Sequence, residues 1–521
     1  MIPLMLNSIR VGLLAILFSF ALSASQQPNI ILIYADDLDA DEINCTSQMT
    51  SIWATHSGAK ERKYWNKGLN AKVLTPNIDG LAQSGMLFTR FYVNGTVCTS
   101  SRYSLLTGRY PSRGPDIQKD YPAGTDATLA WTPAILRSEN NLAKELQNLG
   151  YRTGIIGKWH NMPNRVLPKL PKKIHAPNAS YATTKEFEQG IQSYYRKGFE
   201  YLSNGFGWDV VDRMEWGNSI VNLDWQCDGA LDFIQDSKDE PFFLYCSLPV
   251  PHGQYKFDYN QIESYDNRVT SNGLLNEPIH VLPTTKDVLA RCKEAGVPKE
   301  NAMATRMDDY VGAILKRLDA LGLSENTLII FTSDHGSRGK NSVYEGGAKV
   351  PMLLSWPSKV AAASVCDSLI GNVDLTATLI ELAGGSLPSN LGEDSDSFVA
   401  ILEGKPEPEE WREYMLIEAG NTKGIVTTDW KYLANRVRPE VEAEMNARPQ
   451  TVFWSGVDHH NYQNENMYPA YWDADQLYDL RNDLYEQQNL AGSDVHSETL
   501  EQMREWLSQE ISGLPHTFGE F

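Results

Sequence analysis

Residues 29–34 (NIILIY) are apolar at successive positions rather than alternate ones, so a strand made from them buries both faces. Such a strand needs pairing neighbours on each side and helices above and below it. It belongs inside a parallel or mixed sheet. Two carboxylates, Asp36 and Asp37, follow at once. Comparable runs recur at 87–93, 151–156, 241–248, 327–332 and 350–355. Helix patterns lie between them: 76–84, opened by Thr75 and Pro76; 140–149, stopped by Gly150; 301–321; and 374–382. Strands alternating with helices predict a three-layer α/β core around a mixed central sheet.

A Pro- and Glu-rich stretch at 404–410 marks a boundary. Beyond it, short strands are expected at 413–417, 424–428, 430–434 and 476–480, with a closing helix at 498–511. The expected organisation is a large domain over 26–405 and a smaller subdomain over 411–521, an antiparallel sheet with a helix packed on the large domain. Residues 44–71 and 256–299 read as polar insertions of irregular structure. There is no internal repeat.

The apolar run at the amino terminus is not fold. Arg10, an apolar stretch over 11–22 and then Ser23, Ala24 and Ser25 describe a secretory signal peptide over 1–25. The stretch is shorter than the roughly 20 residues a membrane span needs. The chain is therefore expected to be exported, periplasmic or secreted, with no integral membrane anchor. Its six cysteines, Cys45, Cys98, Cys227, Cys246, Cys292 and Cys366, form no CxxC pair, which argues against a zinc ribbon or a dithiol redox site. Lys plus Arg number 46 against 66 Asp plus Glu, a net charge of −20. That excludes the basic footprint of a nucleic-acid binder. An anionic substrate would need a locally basic pocket to overcome the field.

Five local features sit at strand ends and loops, where the carboxyl ends of an α/β sheet converge. The pair Asp36-Asp37 can bind a hard divalent cation, although a strand-end turn uses the same residues. Ser333-Asp334-His335-Gly336 follows another buried strand and can complete the same site with a carboxylate and an imidazole. Cys98-Thr99-Ser100-Ser101-Arg102 leads into Leu105-Leu106-Thr107-Gly108-Arg109. A cysteine at the start of a short helix can be a nucleophile, or simply a buried structural residue. Lys158 and His160 stand two apart after a strand, so on extended backbone both face one way. Pro251-His252, Gly339-Lys340 and Tyr344-Glu345-Gly346-Gly347 offer a general acid and an anion clamp. Each is weak alone; together they point to one metal- and cation-lined pocket.

In this order the motifs resemble those of the type I, formylglycine-dependent sulfatases of the alkaline-phosphatase superfamily. The resemblance spans nearly the whole chain after residue 25. It rests on the first-strand Asp pair, Cys-x-x-x-Arg with Leu-Thr-Gly-Arg, Gly-Tyr-x-Thr with Gly-Lys-x-His, Gly-Lys with Tyr-Glu-Gly-Gly, and Leu477-Tyr478-Asp479-Leu480 with Glu486 and Asn489-Leu490. It implies an alkaline-phosphatase-like three-layer α/β/α domain. It also implies that a maturation enzyme oxidises Cys98 to formylglycine, whose hydrate attacks the sulfur of a sulfate ester, with Arg102 supporting the diol. The second hydroxyl then expels sulfate. By the same resemblance Asp36, Asp37, Asp334 and His335 hold Ca²⁺ together with the oxygen at position 98. Lys158 and Lys340 clamp sulfate oxygens, His252 protonates the leaving alcohol with Lys340 as helper, and His160 assists the elimination. Two positions depart from the common pattern. Ser100 stands where Pro or Ala is usual, which bears on maturation. His335 stands where many members have Asn, and a nitrogen donor suits softer ions better than Ca²⁺. Lys349, where Arg is common, reads as structural.

Residues 161–175 carry Arg165, Lys169, Lys172 and Lys173 and no acid. This basic loop, directly after His160, is a candidate holder of a neighbouring anionic unit of a sulfated polysaccharide, or a solvated loop. Two other functions share most of these features. One is a phosphoester or phosphonate hydrolase of the same superfamily; the other is a sulfated-glycan binding protein with a dead site. Sequons occur at Asn44, Asn94 and Asn178.

Overall fold

The computed structural model describes residues 27–46, 73–120, 133–163, 166–167, 185–216, 221–252, 268–337, 339–436 and 467–515. The expected signal segment lies outside these, as do Arg165, Lys169, Lys172, Lys173 and Asn178. In chain order the elements that build the site are β1 (Asn29–Ala35), α1 (Pro76–Ser84), β2 (Met86–Phe88), α2 (Cys98–Thr107), α3 (Leu142–Asn148), β3 (Arg152–Lys158), β4 (Val210–Glu215), α4 (Leu223–Asp236), β5 (Phe242–Ser247), α5 (Ala302–Ala320), β6 (Thr327–Ser333), β7 (Met352–Ser355), β8 (Ser364–Cys366) and α6 (Asp374–Leu382). The carboxyl-terminal part adds β9 (Met415–Ala419), β10 (Thr422–Val426), β11 (Trp430–Asn435), β12 (Asp475–Asp479) and α7 (Ser497–Ser512).

Among the described residues the large sheet has eight strands in the order β8-β2-β7-β6-β1-β5-β3-β4. Strands β6, β1, β5, β3 and β4 run parallel, and β7 is antiparallel to β6 and β2. The sheet is mixed, as expected. Strand β1 explains the layering. Ile30, Leu32 and Tyr34 enter one core, shared with Leu105 of α2, Leu142 of α3 and Leu375 of α6. Ile31, Ile33 and Ala35 enter the other, shared with Ile78 of α1, Ile234 of α4 and Val311 of α5. An unbroken apolar run is what a strand between two helical layers requires.

The small sheet is antiparallel in the order β9-β10-β11-β12. One face meets the large domain: Met415, Ile417 and Leu433 pack with Tyr92, Tyr344 and Leu369. The other carries α7 through Leu416, Ile425 and Tyr432 against Leu500, Met503 and Leu507. Two buried lysines lock this junction. Lys423 bonds Glu418, whose other carboxylate oxygen accepts from the Ser112 amide at 3.1 Å. Lys431 sits between Glu345 (3.0 Å) and Glu486 (3.3 Å).

Two expectations need correction. Residues 87–93 are not one strand: β2 ends at Phe88, and Phe91–Tyr92 pairs with Ile370–Gly371 in a separate sheet. The break falls at Thr89-Arg90, whose side chains turn to Asp367. Residues 256–299 are not wholly irregular. They contain a hairpin, Val269–Thr270 with Gly273–Leu274, and a helix, Thr285–Glu294, opened by a capping box between Thr284 and Asp287. Helix Lys185–Leu202, β4 and α4 were not anticipated. Strand β4 lies at the sheet edge and carries Asp212 and Arg213, so it lacks the apolar signal of its neighbours.

Candidate active site

Parallel register brings the predicted residues together. Ala35 pairs with Ser333, and both Tyr34 and Gly157 pair with Ser247, so β1, β3, β5 and β6 end side by side. Asp36 and Asp37 continue β1, Lys158 ends β3, His252 follows β5, and Asp334-His335 follow β6. Helix α2 points its amino terminus at this row. Cys98 is its first residue, and the whole helix is buried. A helix amino terminus favours negative charge beside it.

Local backbone demands explain the motif glycines. Gly157 has φ 96° and sits at an irregularity in the β3–β4 register; a Cβ there would collide with the Ser247 carbonyl oxygen. Only glycine lets β3 press against β5 and aim Lys158 into the pocket. Gly108 ends α2 at φ 61°, against the backbone of Gly392. Asp37 itself is left-handed, φ 62°, a conformation Asp tolerates better than most residues. Its amide donates to Asp334 Oδ1 at 3.0 Å.

Three carboxylates face three cations. Lys158 Nζ lies 2.6 Å from Asp36 Oδ2, both side chains fully buried. Lys340 Nζ lies 2.9 Å from Asp37 Oδ1, 3.6 Å from Cys98 Sγ and 3.3 Å from His252 Nε2. Arg102 Nη2 lies 2.9 Å from Asp334 Oδ2 and 3.4 Å from Asp36 Oδ1. Its other bonds run to Ser247 and Tyr245, and its guanidinium sits over the Tyr34 ring. Arg102 thus braces the carboxylates that line the pocket. His335 Nε2 lies 3.1 Å from Asp37 Oδ1 and 3.3 Å from Cys98 Sγ, while its Nδ1 faces the Gly336 carbonyl at 3.1 Å.

Titration follows this geometry. Burial raises the Cys98 thiol, but Lys158 and Lys340 outweigh it and bring it down to about 7. Burial also opposes charge on His335, yet Asp334 and Asp37 lift that imidazole to about 9. Burial, reinforced by Lys340 against Asp37, lowers His252 to about 4. Burial and then Lys158 hold His160 well below its usual value. His160 Nδ1 is buried with no hydrogen-bond partner among the described residues.

Asp36, Asp37, Cys98 and His335 each offer a ligand atom, and these atoms lie within 4.8 Å of one another. Asp334, expected as a further ligand, stands beside this set and is held by Arg102. Two carboxylates, an imidazole and the atom at position 98 suit a divalent ion. Lys349 pairs with Glu345 at 3.6 Å, in keeping with a structural role.

Sequence reasoning missed Tyr245, Ser247 and Asn161. Ser247 Oγ donates to the Lys158 carbonyl at 2.6 Å, and Asn161 Nδ2 ties the end of β3 to the Thr99 carbonyl at 2.7 Å. The signal for the first two is two polar groups at i and i+2 in an otherwise apolar strand. Asn94, read as a sequon, is fully buried, and its Nδ2 donates to the Leu416 carbonyl. A glycan there is incompatible with this fold.

A family model described as Sulfatase matches residues 28–386. An ulvan-active sulfatase of Formosa agariphila is 25% identical over 511 residues, which cover 94% of this chain and 83% of that protein. An N-acetylgalactosamine-6-O-sulfatase of Bacteroides thetaiotaomicron is also 25% identical, covering 93% of each. Among solved structures, a sulfatase from Pseudoalteromonas sp. superposes with a TM-score of 0.58 at 21% identity, over 97% of this chain and 95% of that one. A structure from work on glycosaminoglycan metabolism by Bacteroides thetaiotaomicron gives 0.60 at 23% identity, over 94% and 100%. The fold is that of the alkaline-phosphatase-like sulfatases.

Proposed function

The chain belongs to the sulfatase family and is a sulfuric ester hydrolase; from that premise we propose that it is an exported enzyme removing sulfate from a sulfated carbohydrate, with Cys98 matured to formylglycine. The observation that carries the reading is the meeting of Cys98 with Lys158, Lys340, His252 and the Asp36, Asp37, His335 ligand set at one helix terminus. A bound divalent ion, Ca²⁺ in this reading, supplies positive charge opposite a sulfate oxygen. The hydrated aldehyde at position 98 supplies a hydroxyl nucleophile whose second hydroxyl permits release of sulfate.

The chain's own groups do the rest. Lys158, Lys340 and Arg102 pair with Asp36, Asp37 and Asp334, and with His335 as a neutral ligand a divalent ion leaves the pocket net positive within a chain of charge −20. That local excess attracts and orients a sulfate monoester. Lys158, at the end of β3, and Lys340, in the loop after β6, approach from different elements and clamp its oxygens. His252, neutral in the substrate-free pocket and 3.3 Å from Lys340, relays to the leaving alcohol the proton that the attacking hydroxyl gives up, with Lys340 as helper. His160, also held neutral, accepts the proton that releases sulfate. Arg102 keeps the carboxylates in place.

A carbohydrate substrate is supported by the relatives, named for ulvan and N-acetylgalactosamine-6-O-sulfate. Export is supported by residues 1–25. No described helix is long and apolar enough to cross a membrane. The decisive experiment makes the protein with a formylglycine-generating enzyme. It measures the mass of the Cys98 peptide and the sulfate released from sulfated oligosaccharides, beside matched phosphate esters. Conversion of CH₂SH to CHO, with sulfate release abolished in C98A, is the expected result. An unmodified thiol in active protein overturns the formylglycine chemistry. Faster phosphate than sulfate release overturns the sulfate preference.

A further inference from the structure

Before maturation the pocket holds a different donor set. Cys98 Sγ, His335 Nε2 and one oxygen each from Asp36 and Asp37 all lie within 4.8 Å of one another, in a buried site. Sulfur and nitrogen are 3.3 Å apart, and nitrogen and the Asp37 oxygen 3.1 Å. Donors around a tetrahedral zinc ion, with bonds of about 2.0–2.3 Å, lie roughly 3.3–3.8 Å from each other. Two of the six donor pairs stand within a few tenths of an ångström of that spacing, and all six lie within 4.8 Å.

One further observation points the same way. His335 Nδ1 faces the Gly336 carbonyl at 3.1 Å, which fixes the ring and leaves Nε2 as the donor toward the cluster, the usual outer support of a metal-bound histidine. Lys340 Nζ, 2.9 Å from Asp37 Oδ1 and 3.6 Å from Cys98 Sγ, is the competing cation that zinc displaces from these two donors.

We propose that the unmatured, thiol form of this protein binds zinc through Cys98, His335, Asp36 and Asp37, and that conversion of Cys98 turns a soft-metal pocket into a hard-metal one. Thiolate and imidazole favour zinc over calcium, whereas oxygen donors favour calcium. On binding, the Cys98 thiol and the His335 imidazolium each release a proton to solvent, and a zinc–sulfur and a zinc–nitrogen bond form; nothing is oxidised or reduced. Maturation removes the sulfur and leaves oxygen donors with one imidazole. The proposal uses the pocket assigned above but not its sulfatase chemistry, so the two can fail separately.

The test uses full-length protein made without a maturation enzyme, its Cys98 verified as thiol by mass, stripped of metal and titrated with zinc and with cobalt as a coloured substitute. One equivalent is expected to bind. Cobalt should give a thiolate charge-transfer band with the intense visible absorption of a tetrahedral site, and a large excess of calcium should not displace it. Zinc should protect Cys98 from alkylation. The C98S variant, its fold checked by an unchanged metal-free melting temperature, should lose the band and bind zinc at least about 100-fold more weakly. H335N should keep the band and bind about 10- to 100-fold more weakly. Absence of the charge-transfer band, or equal zinc affinity in C98S, overturns the proposal. If matured protein releases sulfate while the thiol form ignores zinc, this inference alone falls. If the thiol form binds zinc but matured protein releases no sulfate, the sulfatase reading of the site falls instead.

Discussion

Replacing Lys158 by Met keeps the chain length and removes the ammonium that lies 2.6 Å from Asp36 Oδ2, where both side chains have no solvent exposure. Removing one partner of a buried ion pair costs about 3–5 kcal/mol. The lower end applies, because Arg102 Nη2 remains 3.4 Å from the other Asp36 oxygen. Unfolding entropy of roughly 2.1 cal/mol/K per residue makes about 3 kcal/mol worth about 3 °C of melting temperature for a chain of 521 residues. D36N should cost a similar amount, by leaving Lys158 buried without its counter-charge. The double variant K158M/D36N buries neither charge and should lose only about 1 °C. The assay is calorimetry of all four proteins in chelator, then with calcium restored. Added ion should shrink the K158M deficit, since it supplies the missing positive charge beside Asp36. Additive losses in the double variant, or a K158M protein that melts with the wild type, would refute the argument.

Three other outcomes are expected. G157A forces a left-handed alanine and a collision with the Ser247 carbonyl, so kcat should fall at least about tenfold through a displaced Lys158, with a stability loss of roughly 2 kcal/mol; unchanged kinetics would mean the bulge is not what aims the lysine. Burial raises Asp308 to about 6 from 3.8, so the folded state holds this proton more tightly than the unfolded one. Stability from this group is present below about pH 4 and falls away by about pH 6, a loss of roughly 3 kcal/mol that D308N should remove from a urea-melt pH series. Changing Arg165, Lys169, Lys172 and Lys173 together to Ala should raise KM on sulfated polymer far more than on a small aryl sulfate; equal effects would show the loop plays no part in binding polymer.

Much of the large domain is legible because its strands are buried on both faces. The runs at 29–34, 327–332 and 241–248 became β1, β6 and β5, since short apolar runs rich in β-branched and aromatic residues suit a strand buried on both faces. Helices α5, α6 and α7 fall within a residue or so of their expected limits, because each carries an amphipathic pattern between clear stops. Strand β4 and its flanking helices were not legible. An edge strand with Asp212 and Arg213 is half polar, and periodicity cannot separate it from a loop.

The site divides along the same line. Sequence alone supplied the inventory, in chemical type and order: two carboxylates after the first strand, a cysteine before a helix, Gly-Lys-x-His, a late Gly-Lys, and Asp-His. These choices are legible because each is tied to a local demand, such as the left-handed glycine ahead of Lys158 or the strand end beneath Asp36. Only the tertiary structure decided which charges meet. Arg102, four residues from the cysteine, turns to Asp334 and Asp36; Ser247 and Tyr245 brace it from the next strand; Lys340 reaches Asp37, Cys98 and His252 at once. Those partnerships join residues 66 to 303 positions apart. They depend on parallel strand register and on burial, which set distance and dielectric, and neither quantity is carried by any local stretch of sequence.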